Sequence, residues 1–553
     1  MEQTCRQCST GFETTQEDQA FYDERGVPTP KNCPDCRLMR RMTERNARTL
    51  YKRTCDLTGR EFISPYHTDH VFPVYHPDVW WSDKWDEMTY GKNMDFSQPF
   101  FPQFKALLDT VPRQGQFIGG GTLINSDYVN CASYLKDCYL IAETDYNENC
   151  YYGNRIFHCK SIVDCSNCYE DELCYECVDC GKCYDLRNSD NCLNCSSSAF
   201  LRSCIGCKDC IGCINQRQKQ YMIFNEQFSK EEYEARKREM KMETHEGAEA
   251  IRQHSLDFFK TQPQKNLQNE HNELSSGNHL HDSKNAVSCT DCKDLEDCKW
   301  VARAFKVKSS RDYTAWGDNS ELMYQCAACG ENAYRLSFCS TCVANNSDLF
   351  YCAHSTGSSN CFGCVGIRKK KYCILNKQYT KEEYETLMPK IIEHMRQAGE
   401  YGEFFPKDCT PFGYNETIAM EYFPLSKEQA LKLGFRWRDQ SEEKLNVSKM
   451  IPAKDLPNAI EEVPDDILQW AVSCEETNRP FRITKQELEF YRQHNLPLPR
   501  FHPDIRHAHR MKLRPYTLFK RNCDKCDREI MTTFGPERPE IVYCEECYLK
   551  DVY

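Results

Sequence analysis

Between Cys138 and Cys213 the chain places fifteen cysteines, and every one falls at a residue number divisible by three: 138, 150, 159, 165, 168, 174, 177, 180, 183, 192, 195, 204, 207, 210 and 213. A three-residue period is neither the 3.6 of a helix nor the 2 of a strand. It demands a turn every few residues, with one residue of each triplet facing inward. The other residues of the cysteine frame are mostly apolar or small, as at Ile141, Gly153, Ile156, Ile162, Leu186, Ser189, Ser198 and Leu201. A second frame holds polar turn-formers such as Asn149, Asp164, Asn167, Asp179, Asn188, Asn191 and Asn194, and the third holds Tyr139, Tyr151, Tyr169, Tyr175 and Tyr184. A narrow β-solenoid meets these demands, with cysteine stacked in ladders as a small hydrophobe. Coils of 18 residues fit the spacings Cys174/192/210 and Cys177/195/213. The rival is a multi-zinc tract or an iron–sulfur cluster on Cys174–Cys183 or Cys204–Cys213. Their Cys-x2-Cys-x2-Cys-x2-Cys runs depart from the ferredoxin pattern in the last gap and lack the following proline, and the frame extends well beyond either run.

Residues 285–379 form a second cysteine-rich tract, with triplet spacing only in pieces (Cys326/329, Cys339/342, Cys352/361/364/373), as insertions would produce. It ends as the first tract does. Cys210-Ile-Gly-Cys213, Arg217, Tyr221, Asn225 and Lys230-Glu-Glu-Tyr233 recur, at a constant offset of 151, as Cys361-Phe-Gly-Cys364, Arg368, Tyr372, Asn376 and Lys381-Glu-Glu-Tyr384. Ser229-Lys-Glu-Glu232 and Thr380-Lys-Glu-Glu383 are capping boxes, so a helix closes each tract; Ser426-Lys-Glu-Gln429 opens another.

The two ends of the chain are also copies. Phe12, Thr15, Phe21-Tyr22, Asp35, Arg37, Arg41-Met42 and Arg45 recur at an offset of 469 as Phe481, Thr484, Phe490-Tyr491, Asp504, Arg506, Arg510-Met511 and Arg514. From Thr49/Thr517 the offset is 468. The first copy carries Cys5-x2-Cys8 and Cys33-x2-Cys36, whose counterparts in the second are Cys474, Thr477, His502 and Ile505. The second carries Cys523-x2-Cys526 and Cys544-x2-Cys547, whose counterparts in the first are Cys55, Thr58, His76 and Val79. Paired Cys-x2-Cys knuckles supply four thiolates for a tetrahedral zinc ion, and zinc binding becomes folding energy in a segment too short for its own core. Two structural zinc sites are therefore expected, at Cys5/Cys8/Cys33/Cys36 and Cys523/Cys526/Cys544/Cys547. A mixed site on Cys55 with His67, His70 and His76 is the weaker alternative, and Cys474 with His502 offers too few donors.

Cys5-Arg-Gln-Cys8-Ser-Thr-Gly-Phe12, Gln19-Ala-Phe21-Tyr22 and Pro30-Lys-Asn-Cys33-Pro-Asp-Cys36-Arg37 resemble the probable zinc-ribbon domain family. The resemblance covers residues 4–40 and implies zinc at those four cysteines; the family has no assigned activity, so it implies no catalytic residue. The whole layout more loosely resembles uncharacterised Cys-rich zinc-ribbon proteins of candidate-phylum bacteria.

The expected architecture is multidomain and mainly β: Cys-rich β-solenoid tracts with helical insertions, flanked by two duplicated zinc-ribbon modules. The expected boundaries are 1–58 for the first ribbon copy, 59–121 for an aromatic, Pro-rich connector, 122–228 for the first solenoid and 229–284 for a polar helix and linker. They continue with 285–379 for the second solenoid, 380–440 for a helical segment, 441–470 for a linker and 471–553 for the second ribbon copy. Thirty-eight cysteines with no secretory leader at Met1-Glu2-Gln3-Thr4-Cys5 point to a reducing compartment, hence a cytoplasmic protein, and no apolar run reaches membrane-spanning length. A net charge of −12 argues against nucleic acid wrapped over the whole surface. It leaves room for local contact through Arg37, Arg40, Arg41 and Arg45, three of which share a helical face, and through Arg506, Arg510 and Arg514. No P-loop, Rossmann glycine motif, nucleophile elbow or His-Glu-x-x-His occurs. The expectation is a non-enzymatic, zinc-binding scaffold for an unknown macromolecule, with nucleic-acid binding and iron–sulfur redox chemistry as alternatives.

Overall fold

The computed structural model describes residues 1–119, 122–439 and 447–552. Two compact units divide the chain, and each joins distant segments: Met1–Phe117 with Leu267–Asp439, and Ile118–Asn266 with Gln440–Tyr553. Each end copy therefore packs on the cysteine tract farther from it in sequence.

In both tracts the chain returns beside itself in parallel every 12 or 13 residues. In the first, Asn154 pairs with Ser166, Tyr184 with Ser196 and Lys208 with Gln220, always 12 residues on. The expected 18-residue coil is corrected to 12; cysteines 18 apart lie one and a half coils from each other. Backbone conformation supplies the reason. The frame of polar turn-formers is left-handed throughout, with φ of 55° at Asn149, 56° at Asp164 and 49° at Asn188. Asn and Asp tolerate this region best. One left-handed residue after two extended ones bends the chain at every triplet, and four such bends complete a coil.

The second tract shows how its frame was broken. Its interval is 12 at Gly277/Cys289 and Lys293/Phe305. It becomes 13 over three successive rungs, Lys308/Glu321, Glu321/Tyr334 and Tyr334/Ser347, and returns to 12 at Ser347/Ser359. Three single-residue insertions thus carry the cysteines through all three phases and back. This ladder also reaches to Gly277–His281 and a bridge at Glu270, so the Asn/His/Ser-rich end of the expected 229–284 linker belongs to it. The expected linker 441–470 begins outside the described residues. Its remainder holds the strand Lys449–Pro452, paired with Trp470–Ser473.

The inward frame forms the core of each ladder. Its cysteines are buried, and their thiols donate to backbone carbonyls. Cys177 Sγ lies 3.5 Å from the Tyr175 oxygen and 3.3 Å from that of Leu186; Cys339 Sγ is 3.4 Å from Ser337 and 3.5 Å from Leu349. Backbone N–H groups of the same frame turn toward the side chain one coil back. Where that side chain is polar it accepts, as Asn147 does from Cys159 (2.8 Å), Asp171 from Cys183 (2.8 Å) and Ser189 from Leu201 (2.9 Å). Where it is cysteine the sulfur can serve, as Cys329 does for Cys342 N–H at 3.4 Å. A core position here wants a small apolar group that is also a weak donor and acceptor, and cysteine is that residue.

Each ladder closes with a short antiparallel pair, Gln220–Ile223 with Glu226–Gln227 and Lys371–Ile374 with Lys377–Gln378. A helix with its capping box in place follows each, Lys230–Glu239 and Lys381–Gln397. The expectation of a mainly β chain holds only in part. Most strands run two to four residues, because a bend interrupts every triplet, and twelve α-helices accompany them among the described residues.

Candidate metal centres

Each end copy consists of two successive modules of one design, a β-hairpin with a tight knuckle followed by a helix. The four hairpins are Glu2–Thr4/Gly11–Glu13, Tyr51–Thr54/Glu61–Ser64, Trp470–Ser473/Pro480–Phe481 and Phe519–Asn522/Glu529–Thr532. Every knuckle is closed by the same two backbone bonds. Cys5 N–H reaches the Thr10 oxygen and Ser9 N–H the Cys5 oxygen; Cys55 uses Arg60 and Gly59, Cys474 uses Arg479 and Asn478, and Cys523 uses Arg528 and Asp527. Ser9, Gly59, Asn478 and Asp527 all take positive φ, from 57° to 71°. The second ligand pair begins a helix instead of forming a second knuckle. Cys33 is the N-cap of Pro34–Met42 and Cys36 lies in its first turn; Cys544 precedes Glu545–Val552, which contains Cys547.

Two of the four modules gather four thiols. The Sγ atoms of Cys5, Cys8, Cys33 and Cys36 lie within 4.8 Å of one another, as do those of Cys523, Cys526, Cys544 and Cys547. The Cys8–Cys33 separation is 3.7 Å and Cys526–Cys544 is 3.8 Å, close to the edge of a tetrahedron with metal–sulfur bonds of about 2.3 Å. Backbone N–H groups also converge on the sulfurs: Cys33 donates to Cys5 Sγ and Cys544 to Cys523 Sγ, each at 3.2 Å. One thiol of each tetrad is prepared for deprotonation. The hydrogen bond from Cys36 holds the Cys33 thiol well below the ordinary thiol range. At Cys523, burial opposes ionisation, but backbone N–H groups led by Cys544 outweigh it and bring the thiol to about 6. These are soft four-sulfur sites fit for a tetrahedral metal. Among the described residues no other group of three or more ligand side chains comes together in this way, so the mixed set Cys55, His67, His70 and His76 does not assemble.

The other two modules share one set in place of the four cysteines: Cys55-x2-Thr58 with His76-Pro-Asp-Val79, and Cys474-x2-Thr477 with His502-Pro-Asp-Ile505. In both, histidine takes the N-cap position, its Nδ1 accepting the N–H two residues on, at 3.2 Å from Asp78 and 3.1 Å from Asp504. Both thiols are held below the ordinary range despite burial. Cys55 receives the Thr58 hydroxyl and the His76 N–H, and Cys474 the His502 N–H and the Thr477 hydroxyl. These contacts occupy the places of ligand bonds.

The arginines expected at a surface are mostly buried in helix–ladder contacts. In the first unit Arg37 Nε and Nη2 contact Asp312 at 3.0 Å, Arg41 Nη1 contacts it at 3.1 Å, and Arg41 Nε donates to Thr314 at 3.0 Å. Arg40 is held by the Phe405 and Pro406 carbonyls and by Glu44. In the second unit Arg506 contacts Asp164, Arg510 reaches Asp164 at 2.8 Å and Ser166 at 3.1 Å, and Arg514 reaches Asp179 at 2.6 Å. Each docking helix thus clamps one buried ladder aspartate between two arginines four residues apart. Burial opposes the charge on Arg37 and Arg506, but the aspartate more than compensates and both guanidinium pKa values rise. Asp164 and Asp312 were not singled out from sequence, since an acid in a frame full of turn-formers reads as another turn.

A family model described as a probable treble clef domain matches residues 1–45. The hairpin knuckle plus helix-start ligands agree with that description better than with two-knuckle ribbons. No curated protein matches the chain, and the expected resemblance to candidate-phylum proteins finds no support. Among the described residues no helix is long and apolar enough to cross a membrane.

Proposed function

We propose that this protein is a non-enzymatic scaffold of a reducing, cytoplasmic compartment, in which two structural zinc ions and two β-solenoid tracts build a rigid surface for a macromolecular partner. The clamp geometry carries this reading: the most distinctive polar residues of both end copies are spent inside the fold, on Asp312 and Asp164. The inward-frame cysteines support it too, since their thiols are buried and hydrogen-bonded to backbone, whereas a cluster needs four thiolates aimed at one point. A nucleic-acid role would have to draw on cations other than Arg37, Arg41, Arg506 and Arg510. The test is anaerobic purification of the full chain followed by metal analysis and a visible spectrum. About two zinc per chain and no colour are expected. Iron with sulfide and absorbance in the visible would replace this reading with the redox one, and a salt-dependent complex with RNA or DNA would promote the binder.

A further inference from the structure

We infer that zinc gates one of the two docking clamps and leaves the other alone; this rests on the zinc reading above. In the first unit the clamp helix Pro34–Met42 starts from the metal site itself. Cys33 caps it, Cys36 sits in its first turn, and Arg37, the next residue, is already on Asp312, with Arg41 one turn later. The apolar cluster at the sulfurs is slight, consisting of Cys5, Cys33 and Cys36 with Phe12 packed against them, while Leu38 and Met42 are buried farther along the helix. Cys8 is exposed, so the site is open to chelators and oxidants.

The equivalent helix of the second unit, Pro503–Met511, starts from His502. Its hairpin has gained a third strand, Lys449–Pro452, and an apolar cluster containing Ile451, Leu456, Ile460, Val472, Phe481 and Leu488. The metal site of that copy lies beyond the clamp, at Cys523–Cys547. Metal loss there removes no residue of the Arg506–Asp164–Arg510 contact. One clamp is conditional on metal and its twin is constitutive.

The test is amide hydrogen exchange on the full-length chain under reductant, stripped with a chelator and then reloaded with Zn2+ alone. Stripping is expected to speed exchange over Pro34–Met42 by more than about a hundredfold, reversed on reloading, with Pro503–Met511 unchanged. Cys33→Ser should match the stripped state even though serine caps helices well. Cys544→Ser should leave both helices protected, and Asp164→Asn should open Pro503–Met511 with zinc present. Equal protection of Pro34–Met42 with and without zinc, or joint loss of both helices on stripping, overturns the gate. Zinc counted on reloading tests the parent reading separately: two ions per chain uphold it even where the gate fails.

Discussion

The four end modules share one backbone, and what separates those with a metal tetrad from those without is the apolar surface at the knuckle itself. The tetrad knuckles sit on small clusters, Cys5, Cys33 and Cys36 in one and Cys523, Ile530, Val542, Cys544 and Cys547 in the other, although Tyr22 and Val27 of the first module reach a large core farther from its sulfurs. The module with Cys55 and His76 is built into a large core with Tyr75, Val79, Trp80, Trp85, Phe100 and Phe104. The module with Cys474 and His502 shares its core with Tyr152, Val163 and Tyr175 of the first ladder. Metal and apolar burial are thus alternative ways of holding the same knuckle and helix. In the two modules with the larger clusters a thiol–threonine–histidine set stands where the other two carry ligands, in the same form in both.

The largest expected break in this comparison comes from removing one ligand of each kind. Cys5→Ser or Cys544→Ser forfeits most of a structural zinc binding free energy, which is about 10–16 kcal/mol in small zinc modules, and should unfold its own module locally. Cys474→Ser, at the equivalent place in a metal-free module, should cost about 1–2 kcal/mol. Chemical denaturation with circular dichroism checks both, and similar losses at Cys5 and Cys474 would erase the distinction.

Packing gives the opposite ranking. Phe481→Ala removes a buried ring from the metal-free cluster and should cost about 3–5 kcal/mol. Phe12→Ala, its counterpart above the Cys5 tetrad, is only partly buried and should cost markedly less. Asp312→Ala strands two buried arginines and should cost about 3–5 kcal/mol, whereas Asp164→Ala leaves Arg506 beside Glu487 at 3.5 Å and should cost less.

Much of this was legible in the sequence. Both tetrads, the triplet frame and the capping boxes of the closing helices follow from residue identity at fixed spacing, and local rules govern such features. The coil length was not legible, because a three-residue period fixes how often the chain bends and not how many bends close a turn; 12 and 18 both satisfy it. Nor was the role of Arg37 and Arg41. Their spacing placed them on one helical face, but whether that face meets solvent or a ladder is a long-range fact. Asp312 lies 275 residues from Arg37, and nothing local marks it as a partner. The pairing of each end copy with the remote tract was hidden for the same reason.

A gain-of-metal variant sharpens the comparison further. Thr477→Cys, His502→Cys and Ile505→Cys together with the resident Cys474 rebuild a tetrad on a knuckle whose two closing bonds and positive-φ Asn478 are intact. A third zinc per chain is expected, countable by chromogenic release, with little gain in stability because the apolar cluster already holds the hairpin. A count that stays at two would show that the helix start has drifted from ligand geometry.

The smallest expected effect concerns the histidine cap. His76 Nδ1 accepts the Asp78 N–H only while unprotonated. Burial, with Arg60 adding to it, holds the His76 pKa below its ordinary value of 6.5. The unfolded chain therefore binds the proton more readily, so the cap's stabilisation is full above about 6.5 and is lost as pH falls from there through the folded value. His76→Asn keeps a capping oxygen and removes the titration. The variant should match the parent at pH 8 and exceed it at pH 5 by under about 1 kcal/mol. Zinc-loaded protein must be used, because acid also strips the tetrads, and exchange read over the short helix Pro77–Trp80 isolates the cap from that loss. An unchanged pH dependence in His76→Asn would mean that the ring holds its place by packing on Phe62, 5.4 Å away, and that its nitrogen contributes nothing.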